Sequence, residues 1–248
     1  MIEVADFVLR GAGKGAVNAV SHTSVFRLHA NATAAQLTVD DAALEQHRQH
    51  WQQGTAKTLG IRTYPCVGYG GNITGLRTLF EAGNQANFIK GLVAAVEKSD
   101  VDGINIDFEP QTDVRRPSDN PTIDDGIEFA RFLNALGAAL HALPGRRRQL
   151  SMDSESISGA CWSTAGANDN TTTPPGHPWN RVPCPWIRYF WLLEAFVAFS
   201  PELDLIIPMD TYSTNTSDFK TSLWLYQKYF KVEDIGWVTE FTAPSTGI

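Results

Sequence analysis

Apolar, β-branched runs alternate along the chain with segments of helical spacing, and this alternation predicts repeated strand and helix units. The apolar runs have the length of buried strands. The predicted strands are Val4–Leu9, Val17–Leu28, Gly60–Gly68, Val101–Glu109, Gln149–Asp153, Leu203–Met209 and Asp234–Phe241. Strands that alternate with helices in this way favour a parallel sheet in an α/β fold.

Three segments between these runs are predicted to be helices: Ala42–Thr58, Gln85–Lys98 and Asp124–Leu143. The first is rich in Gln, Ala and Leu, and the other two place apolar residues on one stripe. The third begins with acidic residues and is followed by Pro144-Gly145, the usual signals for the start and stop of a helix. No internal repeat or long linker interrupts the alternation, so residues 1–248 are predicted to form one domain.

The chain has 248 residues, and a (β/α)8 barrel typically needs about 250. The predicted fold class is therefore α/β, as a single TIM barrel. Eight strands close such a barrel, yet the last segment, APSTGI, provides no recognisable eighth strand. The barrel is expected either to be incomplete at its C-terminus or to contain a strand that the pattern does not reveal.

Two long polar segments, Gln111–Thr122 and Gly159–Pro185, follow predicted strands directly. In a barrel both would lie at the carboxyl face, where active sites are built. Loops of this length in a compact domain tend to be either functional or disordered. The sequence therefore predicts functional residues at the carboxyl ends of the strands.

Charge and composition narrow the range of partners. The net charge is −7 and the pI is near 5.3, so neither nucleic acid nor an anionic membrane is an expected partner. No apolar run approaches the roughly 20 residues of a membrane span. The histidines His22, His29 and His177 lack metal-ligand spacing, and Gly11–Gly15 lacks the phosphate-loop pattern. We expect a monomer without metal or cofactor.

The segment Val101–Pro110 carries the most informative pattern. Read with the two-residue period of a strand, it places three apolar residues on one face and three polar residues on the other. The polar residues are Asn105, Asp107 and Glu109. The apolar face suits packing under helices, and the polar face forms a ladder that ends at the strand's carboxyl terminus.

Two carboxyl groups on one face should influence each other. The Cα atoms of Asp107 and Glu109 are expected about 7 Å apart, from the strand rise. Burial and mutual repulsion then raise one pKa, which a general acid requires. The alternative is a strand end whose acids only cap neighbouring loops. The longer pattern Asp102-Gly-Ile-Asn-Ile-Asp-Phe-Glu109 favours the catalytic interpretation.

That pattern resembles the signature of the family 18 glycoside hydrolases, the chitinase family, whose usual form is D-G-x-D-x-D-x-E on the fourth barrel strand. Asn105 resembles the di-N-acetylchitobiase branch, which reads D-G-I-N-I-D-x-E. Two further segments are similar to the third and sixth strands of the family: Ile61–Gly71 and Pro208–Tyr212. The resemblance spans roughly residues 17–213.

The resemblance implies a role for each matched residue. Glu109 protonates the glycosidic oxygen, and the substrate's own acetamido oxygen attacks the anomeric carbon. Asp107 orients that acetamido group and stabilises its positive charge, Asn105 hydrogen-bonds Asp107, and Tyr212 donates to the acetamido oxygen. The predicted substrate-binding residues are Asp102, which also supports the strand base, Met209, Asp210 and Trp237.

The sequence departs from the family pattern at two places. Asn105 replaces the commoner Asp, so Asp107 cannot share a proton with a carboxyl group at that position. In the sixth strand, Met209 in register leaves Thr211 where the family has its tyrosine. A bulge or one-residue shift brings in Tyr212 and places Asp210 on its face.

Other candidates are less specific. Asp153 and Glu155 share a face after the fifth predicted strand, and either line the cleft or form a turn. Trp162 and Trp179 lie in the long polar segment and offer flat faces for sugar rings, as does Trp237 on the last predicted strand.

The expected activity is retaining hydrolysis of β-linked N-acetylglucosamine oligosaccharides, derived from chitin or from the chitobiose core of Asn-linked glycans. Asn105 favours small soluble substrates. Two alternatives stay open: a chitinase-like carbohydrate-binding protein, and an endo-β-N-acetylglucosaminidase that acts on glycoproteins. Such binding proteins usually lack the acid that Glu109 provides here.

The chain carries no recognisable signal peptide, yet four sequons begin at Asn31, Asn72, Asn170 and Asn215. We therefore expect a secreted or lysosomal glycoprotein. Cys161 and Cys184 bracket the long polar segment and either pair or remain free, whereas Cys66, in an apolar run, is predicted to be a buried thiol.

Overall fold

The computed structural model describes residues 22–31, 36–39, 62–111, 120–154, 190–209 and 223–236. The predictions for Val4–Leu9, Ala42–Thr58 and Gly159–Pro185 fall outside these ranges. Within them, no helix is long and apolar enough to cross a membrane.

Six described strands form one sheet, in the spatial order β2-β1-β3-β4-β5-β6. The strands are β1 (His22–Asn31), β2 (Gln36–Val39), β3 (Arg62–Tyr69), β4 (Gly103–Phe108), β5 (Gln149–Ser154) and β6 (Leu205–Pro208). Five run parallel, and β2 pairs antiparallel with β1. The parallel α/β sheet predicted from the sequence is thus confirmed. The pattern missed β2 because four residues are too few to establish a period.

Four described α-helices connect or cover these strands: α1 (Ile73–Phe80), α2 (Ala82–Ser99), α3 (Ile123–His141) and α4 (Leu193–Phe199). The predicted helices at Gln85–Lys98 and Asp124–Leu143 are confirmed as α2 and α3. The eight-residue α1 was missed because only Glu81 separates it from α2. It starts at Asn72, whose side chain accepts a hydrogen bond from the Gly75 backbone N–H.

The core lies between the sheet and the helices. Ile104, Ile106 and Phe108 on β4 are fully buried, as the apolar face of that strand predicted. Phe108 stacks on Phe129 of α3 with 5.8 Å between ring centroids, and Phe129 stacks on Phe190 at 4.4 Å. This packing fixes which face of β4 meets the helices, so the polar face must point into the barrel interior.

The start of the last predicted strand, Asp234–Phe241, joins the sheet at its far edge. Ile235 bridges Ile206 of β6 in parallel orientation, and the Gly236 N–H donates to the Ile206 carbonyl at 2.8 Å. A short 3-10 helix, Val232–Asp234, precedes this contact. Chain order therefore continues around the sheet beyond β6, as in a barrel.

Candidate active site

The polar face of β4 leads to the carboxyl edge of the sheet. Asn105 and Asp107 are buried, whereas Glu109, one residue past the end of the strand, is exposed. The Glu109 N–H donates to the Tyr69 carbonyl at 2.7 Å, which extends the pairing of β3 with β4. Glu109 is thereby anchored through its backbone while its carboxyl group remains open to a substrate.

The register of the parallel strands brings polar residues of three strands together. Cys66 of β3 and Ser151 of β5 both lie beside Asn105. Asp153 lies one step further along β5, level with Asp107, because Ile106 pairs with Met152. The interior of the barrel below Glu109 is therefore lined by an amide, a hydroxyl, a thiol and two carboxyl groups.

Asn105 holds this cluster together by hydrogen bonds between strands. Its Oδ1 accepts from the Ser151 hydroxyl at 2.7 Å, and its Nδ2 donates to Asp153 Oδ2 at 2.6 Å. The Nδ2 atom also lies 3.4 Å from Cys66 Sγ. The expectation that Asn105 bonds Asp107 is wrong. Residues two apart on one strand are about 7 Å apart, whereas neighbouring strands are separated by about 4.8 Å, so the amide reaches across to β5.

Burial dominates the electrostatics of both aspartates. It raises the pKa of Asp107 to about 7, with a further contribution from the negative charge of Glu109. Burial also raises the pKa of Asp153 to about 8, assisted by the charge of Asp107 and opposed by the hydrogen bond from Asn105. The prediction that a carboxyl group of this ladder has a raised pKa is confirmed, and it falls on Asp107.

One oxygen of each aspartate has no hydrogen-bond partner. Oδ1 of Asp107 and Oδ1 of Asp153 are both buried and unpaired. A carboxylate oxygen of each and the Cys66 sulfur lie within 4.8 Å of one another. Burial favours the neutral forms of the two carboxyl groups, so a proton shared between them would relieve their repulsion.

Asp102 lies at the opposite end of β4. Its carboxylate accepts from the Thr63 N–H at 3.0 Å and pairs with Arg146 Nε at 3.0 Å. The next residue, Gly103, has no room for a Cβ, which would collide with the Tyr64 ring and the Gln149 carbonyl oxygen. The structure thus places Asp102 in the strand base, as expected, and does not bring it to the edge that carries Glu109.

Met209 follows β6 at the carboxyl edge, where its N–H donates to the Ser154 carbonyl at 3.0 Å. It is partly buried against the core. The other predicted residues, Asp210, Tyr212 and Trp237, lie outside the described residues, and their roles stay predictions.

The sequence indicated Asp153 only as one of two acids on a shared face, and it missed Ser151 and Cys66 as neighbours of the site. Their common signal is position: each lies on a neighbouring strand at the level of Asn105 or Asp107. That register depends on how the strands align in space, which a single sequence does not state.

Comparison with known proteins gives similarity in structure only. No family model and no curated protein matches the chain. Among solved structures, a chitinase from Chromobacterium violaceum aligns with a TM-score of 0.57 and 16% identity over 88% of this chain and 60% of that one. A class V chitinase from Nicotiana tobaccum, in complex with NAG4, aligns with a TM-score of 0.58 and 13% identity over 88% of this chain and 59% of that one. The Bacillus cereus spore cortex-lytic enzyme SleL aligns with a TM-score of 0.59 and 14% identity over 88% of this chain and 43% of that one.

These likenesses show the fold, which is that of the TIM-barrel chitinases. The chain spans about three fifths of the length of the two chitinases. The five parallel strands described here form part of such a barrel, with Asp107 and Glu109 at the carboxyl face.

Proposed function

We infer that the chain is a retaining glycoside hydrolase that cleaves β-linked N-acetylglucosamine oligosaccharides by substrate-assisted catalysis, with Glu109 as the general acid. The observation that carries this proposal is the arrangement at the end of β4. Glu109 is exposed at the carboxyl face of the barrel, and the buried Asp107 lies directly behind it on the same face. An accessible proton donor and a protected anion are what this reaction needs.

In the first step the Glu109 carboxyl group gives its proton to the glycosidic oxygen, and the bond from that oxygen to the anomeric carbon breaks. The carbonyl oxygen of the substrate's 2-acetamido group forms a bond to the same carbon, so positive charge develops on the acetamido nitrogen. Asp107, as a carboxylate, stabilises that charge. Glu109, now a carboxylate, then removes a proton from a water molecule. The water oxygen bonds to the anomeric carbon while the bond from that carbon to the acetamido oxygen breaks, so the configuration is retained overall.

The substrate class follows from this chemistry. A sugar without the acetamido group lacks the nucleophile, whatever its size. The solved chitinase in complex with NAG4 supports an N-acetylglucosamine oligosaccharide as the ligand class for a barrel of this fold. Asn105 matches the chitobiase pattern, and on that basis we propose small soluble oligosaccharides as substrates. The four sequons support our proposal of a secreted or lysosomal location.

A pair of fluorogenic disaccharides tests the proposal. One carries 2-acetamido groups, and the other is its glucose counterpart with 2-hydroxyl groups. We expect hydrolysis of the first only, with the β-anomer appearing first in the proton NMR spectrum of the product. Equal cleavage of both would exclude the substrate-assisted route. Binding of the first without cleavage would favour the carbohydrate-binding alternative.

A further inference from the structure

Asn105 leaves Asp107 without a carboxyl neighbour on its own strand, but the structure provides one on β5. Asp153 is level with Asp107 in the sheet, and oxygens of the two carboxyl groups lie within 4.8 Å of each other. Both side chains are more than nine-tenths buried, with 7% and 8% of their surface exposed. Two negative charges at this separation and depth would repel strongly, so one carboxyl group must retain a proton.

We propose that Asp153 carries this proton in the working enzyme and donates it in a hydrogen bond that holds the Asp107 carboxylate in position. Asp153 is then a positioning residue for the reaction, because it acts through Asp107 and does not touch the substrate. This inference rests on the proposed function for the role of Asp107, but the protonation of Asp153 stands on the site alone.

The hydrogen bonds around Asn105 determine which oxygen carries the proton. The Ser151 hydroxyl donates to Asn105 Oδ1, which fixes the orientation of the amide and turns its N–H groups toward Asp153. Asp153 Oδ2 is therefore occupied as an acceptor at 2.6 Å. Its Oδ1 is left without a partner, and so is Oδ1 of Asp107. One proton on Asp153 Oδ1 would satisfy both atoms once side-chain rotation closes the remaining gap.

The groups that face the pair favour the retention of a proton by one of the two aspartates. Glu109 of β4 adds negative charge, and Cys66 of β3 adds a thiol. On β6, the residue level with Asp153 is the apolar Ile207. Among the described residues, no cation contributes to the raised pKa of either aspartate. Burial raises the pKa of both aspartates, and the charge of Asp107 raises that of Asp153 further, so the pair retains a proton.

A proton on Asp153 suits the roles of the two residues. When Asp107 is ionised, its negative charge strengthens the hold of Asp153 on that proton. During the reaction the proton on Asp153 is neither gained nor lost, because the proton delivered to the leaving oxygen comes from Glu109. A neutral acid that donates to a catalytic anion is a known use of a carboxyl group with a raised pKa.

Two substitutions of Asp153 distinguish the effect of its hydrogen-bond donor from the effect of its side-chain volume. Asp153→Asn keeps a hydrogen-bond donor of the same shape and removes the need for a proton, whereas Asp153→Ala removes the donor. With the fluorogenic acetamido disaccharide, we expect Asp153→Ala to lower kcat roughly tenfold or more, with KM changed by less than about threefold. Asp153→Asn should recover most of kcat. Equal losses in both variants, or none in either, would overturn the positioning role.

Protonation is measured without substrate, by NMR titration of the chain labelled with carboxyl-13C aspartate. The Asp153 resonance is assigned by its loss in Asp153→Asn, which keeps the titration informative if Asp153→Ala does not fold. We expect that resonance to titrate above neutral pH, and to shift to lower pH in Asp107→Asn, because the neighbouring charge is gone. An acidic midpoint in the wild type would overturn the inference. Coupled titration without any hydrolysis would instead count against the proposed function and leave the protonation of Asp153 standing.

Discussion

Acidic residues at the two ends of the same parallel strands differ in whether a cation pairs with them. At the amino end, Asp100, Asp102 and Asp204 each lie against an arginine, with nitrogen-to-oxygen distances of 2.8 to 3.0 Å. At the carboxyl end, Asp107 and Asp153 are buried side by side, and each has an oxygen without a partner. Only a few residues of strand separate the two arrangements.

The amino end is a closed network of compensated charges. The Asp204 carboxylate accepts three hydrogen bonds, from His141 Nε2 at 2.8 Å, from Arg147 at 2.9 Å and from the Leu150 N–H at 2.8 Å. The network pairs the acidic residues of the strand starts with arginines and joins β5 to the segment before β6, although Nε and Nη1 of Arg148 are buried without a hydrogen-bond partner. Its contribution is to stability.

The carboxyl end keeps two buried carboxyl groups that no arginine or lysine among the described residues compensates. Burying carboxyl groups together in this way is unfavourable, and such sites are often functional. In barrels the carboxyl end carries the chemistry and the amino end the stability. The contrast predicts that substitutions at the two ends will affect different observables.

The largest expected effect is on catalysis at the carboxyl end. Asp107→Asn removes the anion that stabilises the charged intermediate, and we expect kcat to fall by roughly 10²–10³, as when one electrostatic stabiliser is removed. The free energy of unfolding at pH 8 should stay equal or increase, because a buried carboxylate is replaced by a neutral amide. Steady-state kinetics and urea unfolding on one preparation measure both. A large loss of stability with kcat retained would reverse the comparison.

The next effect is the pH dependence of stability. The folded-state pKa of Asp107 is raised from 3.8 to about 7, so the folded protein holds a proton that the unfolded chain releases. The stabilisation is complete below pH 3.8 and is lost as the pH rises toward 7 and beyond. For Asp107 alone the loss between pH 5 and pH 8 is about 2–3 kcal/mol.

Urea unfolding at the two pH values measures that loss, with Asp107→Asn as the reference. The variant should have a flatter dependence, because it lacks the carboxyl group and weakens the retention of the proton on Asp153. Identical pH dependence in both proteins would show that Asp107 is not protonated in the folded state.

At the amino end, Asp204→Ala should reduce stability by about 2 kcal/mol, because it leaves the Leu150 N–H, His141 and Arg147 without this acceptor. We expect kcat to change little in the fraction that stays folded. The matched control is Glu233→Ala on the exposed 3-10 helix, which should change stability by less than about 0.5 kcal/mol. A tenfold loss of kcat in Asp204→Ala without loss of stability would contradict the division of roles.

The smallest expected effect concerns Thr122, at the start of α3. It tests whether activity depends only on residues inside the barrel or also on the helix that follows β4. Thr122 caps α3, and its hydroxyl and backbone both hydrogen-bond Asp125, at 2.8 and 2.7 Å. Thr122→Ala should cost about 1 kcal/mol of stability and leave kcat unchanged. Thermal unfolding and the hydrolysis assay check the two halves, and a loss of activity would mean that α3 also positions the site.

The sequence correctly predicted those features that depend on a single helix or strand. The two-residue period of β4 correctly separated the core residue Phe108 from Asp107, and the helical spacing found α2 and α3. Short elements such as β2 and α1 were missed because a period needs several repeats. The partner of Asn105 was wrongly assigned because the pattern considered one strand, whereas the hydrogen bonds run between strands. Asp153 became a partner of Asp107 only through the sheet register.

The most direct test of the account is hydrolysis of the fluorogenic acetamido disaccharide by the wild type and by Glu109→Gln. Glu128→Gln is the matched control, since Glu128 is a carboxyl group on α3 whose partner is Arg131, away from the interior. We expect turnover by the wild type and the control, and a loss of roughly 10²–10⁴ in kcat for Glu109→Gln with folding intact. Full activity in Glu109→Gln would contradict the assignment of the acid, and with it the proposed mechanism.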